Sequence, residues 1–146
     1  MPTFTLEKNV AAPPSTVFEV LADHRNYSTI NSRIRSSTLE REGHPAPNGV
    51  GAIRVLKSFG PPLREEIVEF VPGERLVYRL LSGAPLRDHV GTVTLTERTG
   101  GTKVTYRIDT TPTIPVIGRA AMPIVRTAVR QLFDGLAKES ERRARA

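Results

Sequence analysis

Apolar positions along this chain switch between two spacings. Phe4, Leu6 and Val10 fit one face of a strand, and within a few residues Val17, Phe18, Val20 and Leu21 bunch on one side of a helix. Pro14 suits the first helical turn, where a backbone N–H has no intrahelical partner, while Thr16 and Glu19 read as a capping box. These two signals place the helix start only to within two residues. The polar segment His24 to Asn31 has room for a second short helical turn.

From there to Thr111 strand spacing dominates. Branched residues concentrate in Ile34–Arg41, Ala52–Phe59, Arg64–Val71, Leu76–Leu81, Arg87–Thr96 and Lys103–Asp109. Glycine- and proline-rich turns separate them, and separators this short favour antiparallel neighbours, because a parallel return needs a crossover of about a dozen residues. With the opening strand, this predicts a seven-stranded meander. Thr113 to Gly118 is an apolar approach marked by Pro115. Beyond Pro123, which must begin or kink a helix, Val125, Ala128, Val129, Leu132, Phe133 and Leu136 recur at helical spacing. The other face carries Arg126, Arg130, Asp134 and Lys138, so Arg130–Asp134 and Asp134–Lys138 are expected pairs on a solvated face. An antiparallel sheet has one apolar face to cover, and only the C-terminal helix is long enough to cover it. The expected class is α+β, one domain over residues 1–146.

Composition narrows the chemistry. A chain of 146 residues can bury a core of its own, and the absence of cysteine removes disulfides, thiolate metal sites and cysteine nucleophiles. No signal-peptide pattern and no apolar run of membrane-spanning length occurs, so a soluble, cytoplasmic protein is expected. The net charge of +6 invites a nucleic-acid reading, but most arginines are scattered singly, without aromatic interleaving. No specific nucleic-acid partner is expected. Only Arg142, Arg143 and Arg145 cluster, as a solvated helix end or a contact for an acidic membrane.

In this order, several local sequences resemble the START-like superfamily that includes polyketide cyclases, lipid-transfer and plant pathogenesis-related proteins, often labelled SRPBCC. They are Ala12 to Asp23 around the Pro13-Pro14 pair, Gly49-Val50-Gly51, Glu69 to Leu76, Pro85 to Leu95, and Gly101 to Tyr106. The resemblance covers nearly the whole chain. It implies a helix-grip fold, a seven-stranded curved antiparallel sheet around the long C-terminal helix, with two short helices after the first strand. It also implies a hydrophobic or aromatic ligand, lipid or polyketide-like, in a cavity beneath that helix. Where similar sequences place tryptophan, this chain has Ile30 and Tyr106, and His89 stands where tyrosine is common. Catalysis varies from branch to branch of the superfamily.

Among catalytic patterns, the nucleophile elbow, the phosphate loop and the paired-histidine zinc motif are all missing. Gly49-Val50-Gly51 leads into a strand and reads as a tight hairpin. His24, His44 and His89 have no second ligand at metal spacing, so neither metal nor cofactor is expected. His89 is the best candidate for chemistry. If Val93 and Leu95 point inward, the period of two sends His89 and Gly91 with them, Tyr78 with Leu76 and Leu80, and Tyr106 with Val104 and Ile108. A histidine and two phenols converging in an apolar cavity can bind a carbonyl or phenol and move a proton; equally, His89 can be a wall residue that satisfies a backbone group.

Arg87 and Asp88 point to opposite faces of their strand and read as ladder contacts. Asp23 and Tyr27 either rim the cavity or seal the core, and Met122, Val125, Val129 and Leu132 line it or form ordinary core. Strands Ala52–Phe59 and Arg64–Val71 mix charged and apolar residues on both faces, which leaves their inward set open. The expected lining is Tyr27, Ile30, Tyr78, His89, Gly91, Val93, Val104, Tyr106, Ile108, Met122, Val125 and Val129, with His89 and Tyr106 as the catalytic pair if a reaction occurs. Three functions follow in order: a ligand carrier or sensor, a cyclase, aromatase or dehydratase, and an interaction module using the basic tail.

Overall fold

The computed structural model describes residues 3–146, and of residues 115–119 the backbone alone. Strand β1 (Thr3–Val10) leads into α1 (Pro14–Ala22), a single 3₁₀ turn (His24–Asn26) and the one-turn helix α2 (Tyr27–Ile30). Strands β2 (Ser36–Arg41), β3 (Ile53–Lys57), β4 (Leu63–Val71), β5 (Arg75–Ser82), β6 (Leu86–Arg98) and β7 (Gly101–Pro112) follow, and α3 (Pro115–Arg145) closes the chain. All pairings are antiparallel, in the order β1-β7-β6-β5-β4-β3-β2. Strands β2 to β7 form the expected meander. β1 joins its far edge, so the two short helices carry the chain across the full width of the sheet.

Pro13 caps α1 and Pro14 occupies its first turn, with no side-chain cap; Thr16 and Glu19 lie inside the helix and form no capping box. The prolines win because Pro13 has extended φ and ψ, and its carbonyl already accepts from the N–H groups of Thr16 and Val17. α3 contains 31 residues, roughly 45 Å of helix, and begins at Pro115 with Pro123 inside it. From Pro115 on, the expected approach is therefore helical, with Ile114 as its extended N-cap. The missing N–H of Pro123 falls on an exposed stretch of helix.

The core lies between the concave face of the sheet and α1 and α3. Val17, Phe18, Val20 and Leu21 from α1 meet Val93, Leu95, Val104 and Ile108 from β6 and β7, with Phe133, Leu136 and Ala137 from α3. The opposite face of the sheet carries cross-strand ion pairs, among them Glu66 held between Arg41 and Arg79, Glu40 with Arg64, and Arg75 with Glu69. Many of the scattered arginines are thus engaged within the sheet, in exposed pairs that water screens and that add little to stability. On α3, Asp134 pairs with Lys8 of β1 instead of Arg130 or Lys138, which ties the helix to the sheet edge. Among the described residues, no helix is long and apolar enough to cross a membrane.

Candidate ligand-binding site

The space beneath α3 divides into a packed half and a hollow half. Where α1 adds its apolar side, next to β1, β7 and the C-terminal part of α3, only a void of about 10 Å³ remains among Val10, Leu21, Val104, Tyr106 and Phe133. α1 also packs on β5 and β6 and, through Phe18, on Phe70 of β4, and the hollow half lies toward the other ends of these strands, at Leu63, Leu80 and Leu86. There the stretch Pro123 to Leu132 of α3 spans a cavity of about 590 Å³. Leu56, Leu63, Leu80 and Leu86 form its floor, and Val125, Ala128, Val129 and Leu132 its roof. Phe59, 87% exposed, and Ile124, 72% exposed, stand at its edge with Arg33.

Polar groups gather at the inner end. Arg54 of β3 and Glu65 of β4 are cross-strand partners on the concave face, joined by a 2.9 Å bond from Nε of Arg54 to Oε1 of Glu65. Both are buried, at 1% and 6% exposure. The guanidinium lies between the rings of Tyr27 and Tyr78, 4.8 and 4.7 Å from their centroids. Burial acts to lower its pKa, but the Glu65 carboxylate and the faces of the two rings outweigh burial and keep Arg54 charged.

His24 supports this ion pair from behind. Its Nδ1 is 3.4 Å from Nη1 of Arg54, and its Nε2 is 3.0 Å from the carbonyl oxygen of Asn48. Since a guanidinium can only donate and a carbonyl can only accept, His24 is neutral with its proton on Nε2. Burial and the nearby Arg54 charge lower its pKa from 6.5 to about 3.

His89 reaches the cavity through an irregularity in β6. Arg87 pairs with Thr111 and Val90 with Asp109, so Asp88 and His89 together face Thr110. This is a β-bulge, and Asp88 takes the left-handed backbone (φ 51°) that an aspartate tolerates. The extra residue lets Leu86 and His89 face the same cavity although they differ in strand parity. Nδ1 of His89 lies 3.0 Å from the Thr110 hydroxyl, and burial, partly offset by Glu65, lowers the ring's pKa.

Tyr78 lines the cavity, with its hydroxyl 2.6 Å from that of Tyr106. Burial raises the pKa of both phenols, so both remain protonated at neutral pH. Gly91 seats the Tyr78 ring: the two are cross-strand partners, and a Cβ at Gly91 would lie 2.3 Å from the ring.

Of the residues expected around the cavity, Tyr78, His89, Val125 and Val129 line it. Val93, Val104, Tyr106 and Ile108 point inward as the period of two required, but they sit in the packed half or behind Tyr78. Inward is not the same as cavity-facing, because α1 fills half of the concave face. Tyr27 seals the core, donating its hydroxyl to the carbonyl of Leu21 and covering Arg54. Asp23 pairs with Arg143 near the C-terminus of α3 and does not line the mouth. Ile30 packs against the core, and Met122 lies outside the lining. Arg54, Glu65 and His24 went unassigned in the sequence. The usable signal was Ala52, Arg54 and Leu56 on one strand and Leu63, Glu65 and Ile67 on the next, each placing one charge among apolar residues.

A curved antiparallel sheet gripping a C-terminal helix over a largely apolar cavity defines a START-like protein. The chain belongs to the polyketide cyclase/dehydrase and lipid transport family, whose model matches residues 1–144. No curated protein matches the sequence. Among solved structures, the Zhui aromatase/cyclase from Streptomyces sp. R1128 is similar at a TM-score of 0.83 and 20% identity, over 99% of this chain and 96% of its own. A START superfamily protein from Mycobacterium smegmatis is similar at a TM-score of 0.74 and 15% identity, over 98% and 97%. A protein from Nitrosospira multiformis gives 0.77 and 22%, over 99% and 100%. At these identities, the likeness is one of fold.

Proposed function

We propose that the protein binds a hydrophobic or aromatic small molecule, lipid or polyketide-like, in the cavity between the sheet and α3. The observation that carries this reading is the 590 Å³ space itself, apolar along its walls and polar at one end. That size and distribution suit a ligand whose body is buried and whose orientation is fixed by a few polar groups. Family membership supports the same reading. Native mass spectrometry of protein purified from its own cells, followed by solvent extraction, should show an adduct that the cavity-filling variant Val129→Trp lacks. The same adduct on Val129→Trp, or bare polypeptide in both, would overturn it.

A second reading, cyclisation, aromatisation or dehydration of the ligand, is favoured by the placement of His89 beside Tyr78, 6.4 Å between ring centroids. A neutral imidazole in the cavity can accept a proton, and a phenol kept protonated by burial can donate one. Tyr78 suits the donor role better than Tyr106, whose hydroxyl ends on that of Tyr78. Turnover of an identified ligand that survives both His89→Ala and Tyr78→Phe would remove this reading and leave binding intact. The third reading, docking through the basic tail, competes with the ion pairs of Arg142 and Arg143 to Glu139 and of Arg143 to Asp23.

A further inference from the structure

The inner end of the cavity has an electrostatic character that its shape alone does not reveal. Among the described residues lining it, Glu65 and Arg33 are the charged ones, and Arg33 is exposed at the edge. Arg54 does not line the cavity. It lies behind Glu65, stacked between Tyr27 and Tyr78, so its charge faces the carboxylate and two aromatic rings. Glu65 bonds Arg54 through Oε1, and its Oε2 makes no hydrogen bond among the described residues. Since no polar side-chain atom there is both sealed from solvent and without a partner, Oε2 opens on the cavity that Glu65 lines. Beside it, His89 is held neutral and Tyr78 protonated. The inner end therefore presents a carboxylate oxygen, a neutral imidazole and a phenol, with no available cation.

We propose that Glu65 sets ligand specificity: its Oε2 accepts a hydrogen bond from a hydroxyl or phenol on an uncharged ligand and disfavours a carboxylate brought to the same point. This rests on the reading that the cavity binds a hydrophobic ligand, and it identifies the polar group such a ligand carries inward. A neutral hydroxyl gains a charge-assisted bond, whereas a carboxylate meets a like charge in a desolvated space. A fatty acid entering head-first is thus a poor ligand, and a phenol or alcohol of the same body a good one.

Calorimetric titration at neutral pH with 2-naphthol, 2-methoxynaphthalene and 2-naphthoate tests this. Burial of apolar surface alone ranks the methyl ether at or above the naphthol, because the ether is the more apolar molecule. Glu65 as acceptor reverses that order, with 2-naphthol binding about tenfold more tightly than the ether, as expected for a hydrogen bond to a charged group. In Glu65→Gln the amide oxygen meets Arg54 and the amide N–H groups face the cavity, so the preference falls to about onefold and 2-naphthoate binds more tightly than to the wild type. Equal or tighter binding of the ether to the wild-type protein overturns the inference and leaves the cavity reading in place. A preference that persists in a folded Glu65→Gln variant also overturns it, by assigning the acceptor elsewhere. Binding of none of the probes overturns both. Should Glu65→Gln fail to fold, the wild-type comparison of naphthol with its ether still decides.

Discussion

At the scale of single residues, the inner end of the cavity rests on groups whose protonation the fold has chosen. His24 is neutral because burial and Arg54 oppose its charge, holding its pKa at about 3 where an unfolded chain has about 6.5. Between those values the unfolded chain binds a proton that the native state refuses. Stability therefore rises with pH across this window and is lost as pH falls from about 6.5 toward 3, with a limiting slope of about 1.4 kcal/mol per pH unit. The lowered pKa of His89 acts with the same sign. Urea midpoints from pH 6.5 to 4.5, mostly above the range where carboxylates titrate, should fall steadily for the wild type and less steeply for His24→Gln. Equal slopes would mean that His24 is not the buried neutral group described. Little of this was legible beforehand. A histidine's neighbours depend on long-range folding, and Asn48 and Arg54 lie 24 and 30 residues further along the chain.

At the scale of elements, the packing of α3 explains both what was read correctly and what was missed. The helical spacing of Val125, Val129, Leu132, Phe133 and Leu136 marked its buried side, and that pattern is local. Its start was left open because a proline such as Pro123 either begins a helix or kinks one, and the structure carries the helix through it from Pro115. Gly135 shows how closely α3 crosses the end of α2: a Cβ there would lie 2.5 Å from the carbonyl oxygen of Ile30. In an open helix, glycine to alanine stabilises by about 1 kcal/mol. Here Gly135→Ala should instead destabilise by roughly 1–3 kcal/mol, the cost of overpacking, measured as a lower urea midpoint. An increase would show that the crossing is looser than described. The bulge at Asp88 and His89 is similar in kind. Strand alternation predicted that His89 points inward, but only the pairing with β7 shows that Leu86 joins it.

At the scale of the whole molecule, the fold was legible because every element announced itself locally and in the right order. The site was half legible for a geometric reason. Alternation sorts residues by face of the sheet, and it cannot tell which part of the concave face α1 will cover. Val93, Val104 and Ile108 thus share a face with Tyr78 and His89 yet belong to the packed half. Arg54 and Glu65 were obscured because isolated charges on a strand ordinarily face solvent, and here they neutralise one another on the concave face. This division makes a spatial claim about where a ligand sits. Titration of isotope-labelled protein with 2-naphthol, followed by amide chemical shifts, tests it most directly. The largest shifts should fall on Leu63, Glu65, Leu80, His89, Ala128 and Val129, while Val10, Val104 and Ile108 stay nearly still. Largest shifts in the packed half or on the ion-paired outer face of the sheet, or no shifts at all, would contradict it.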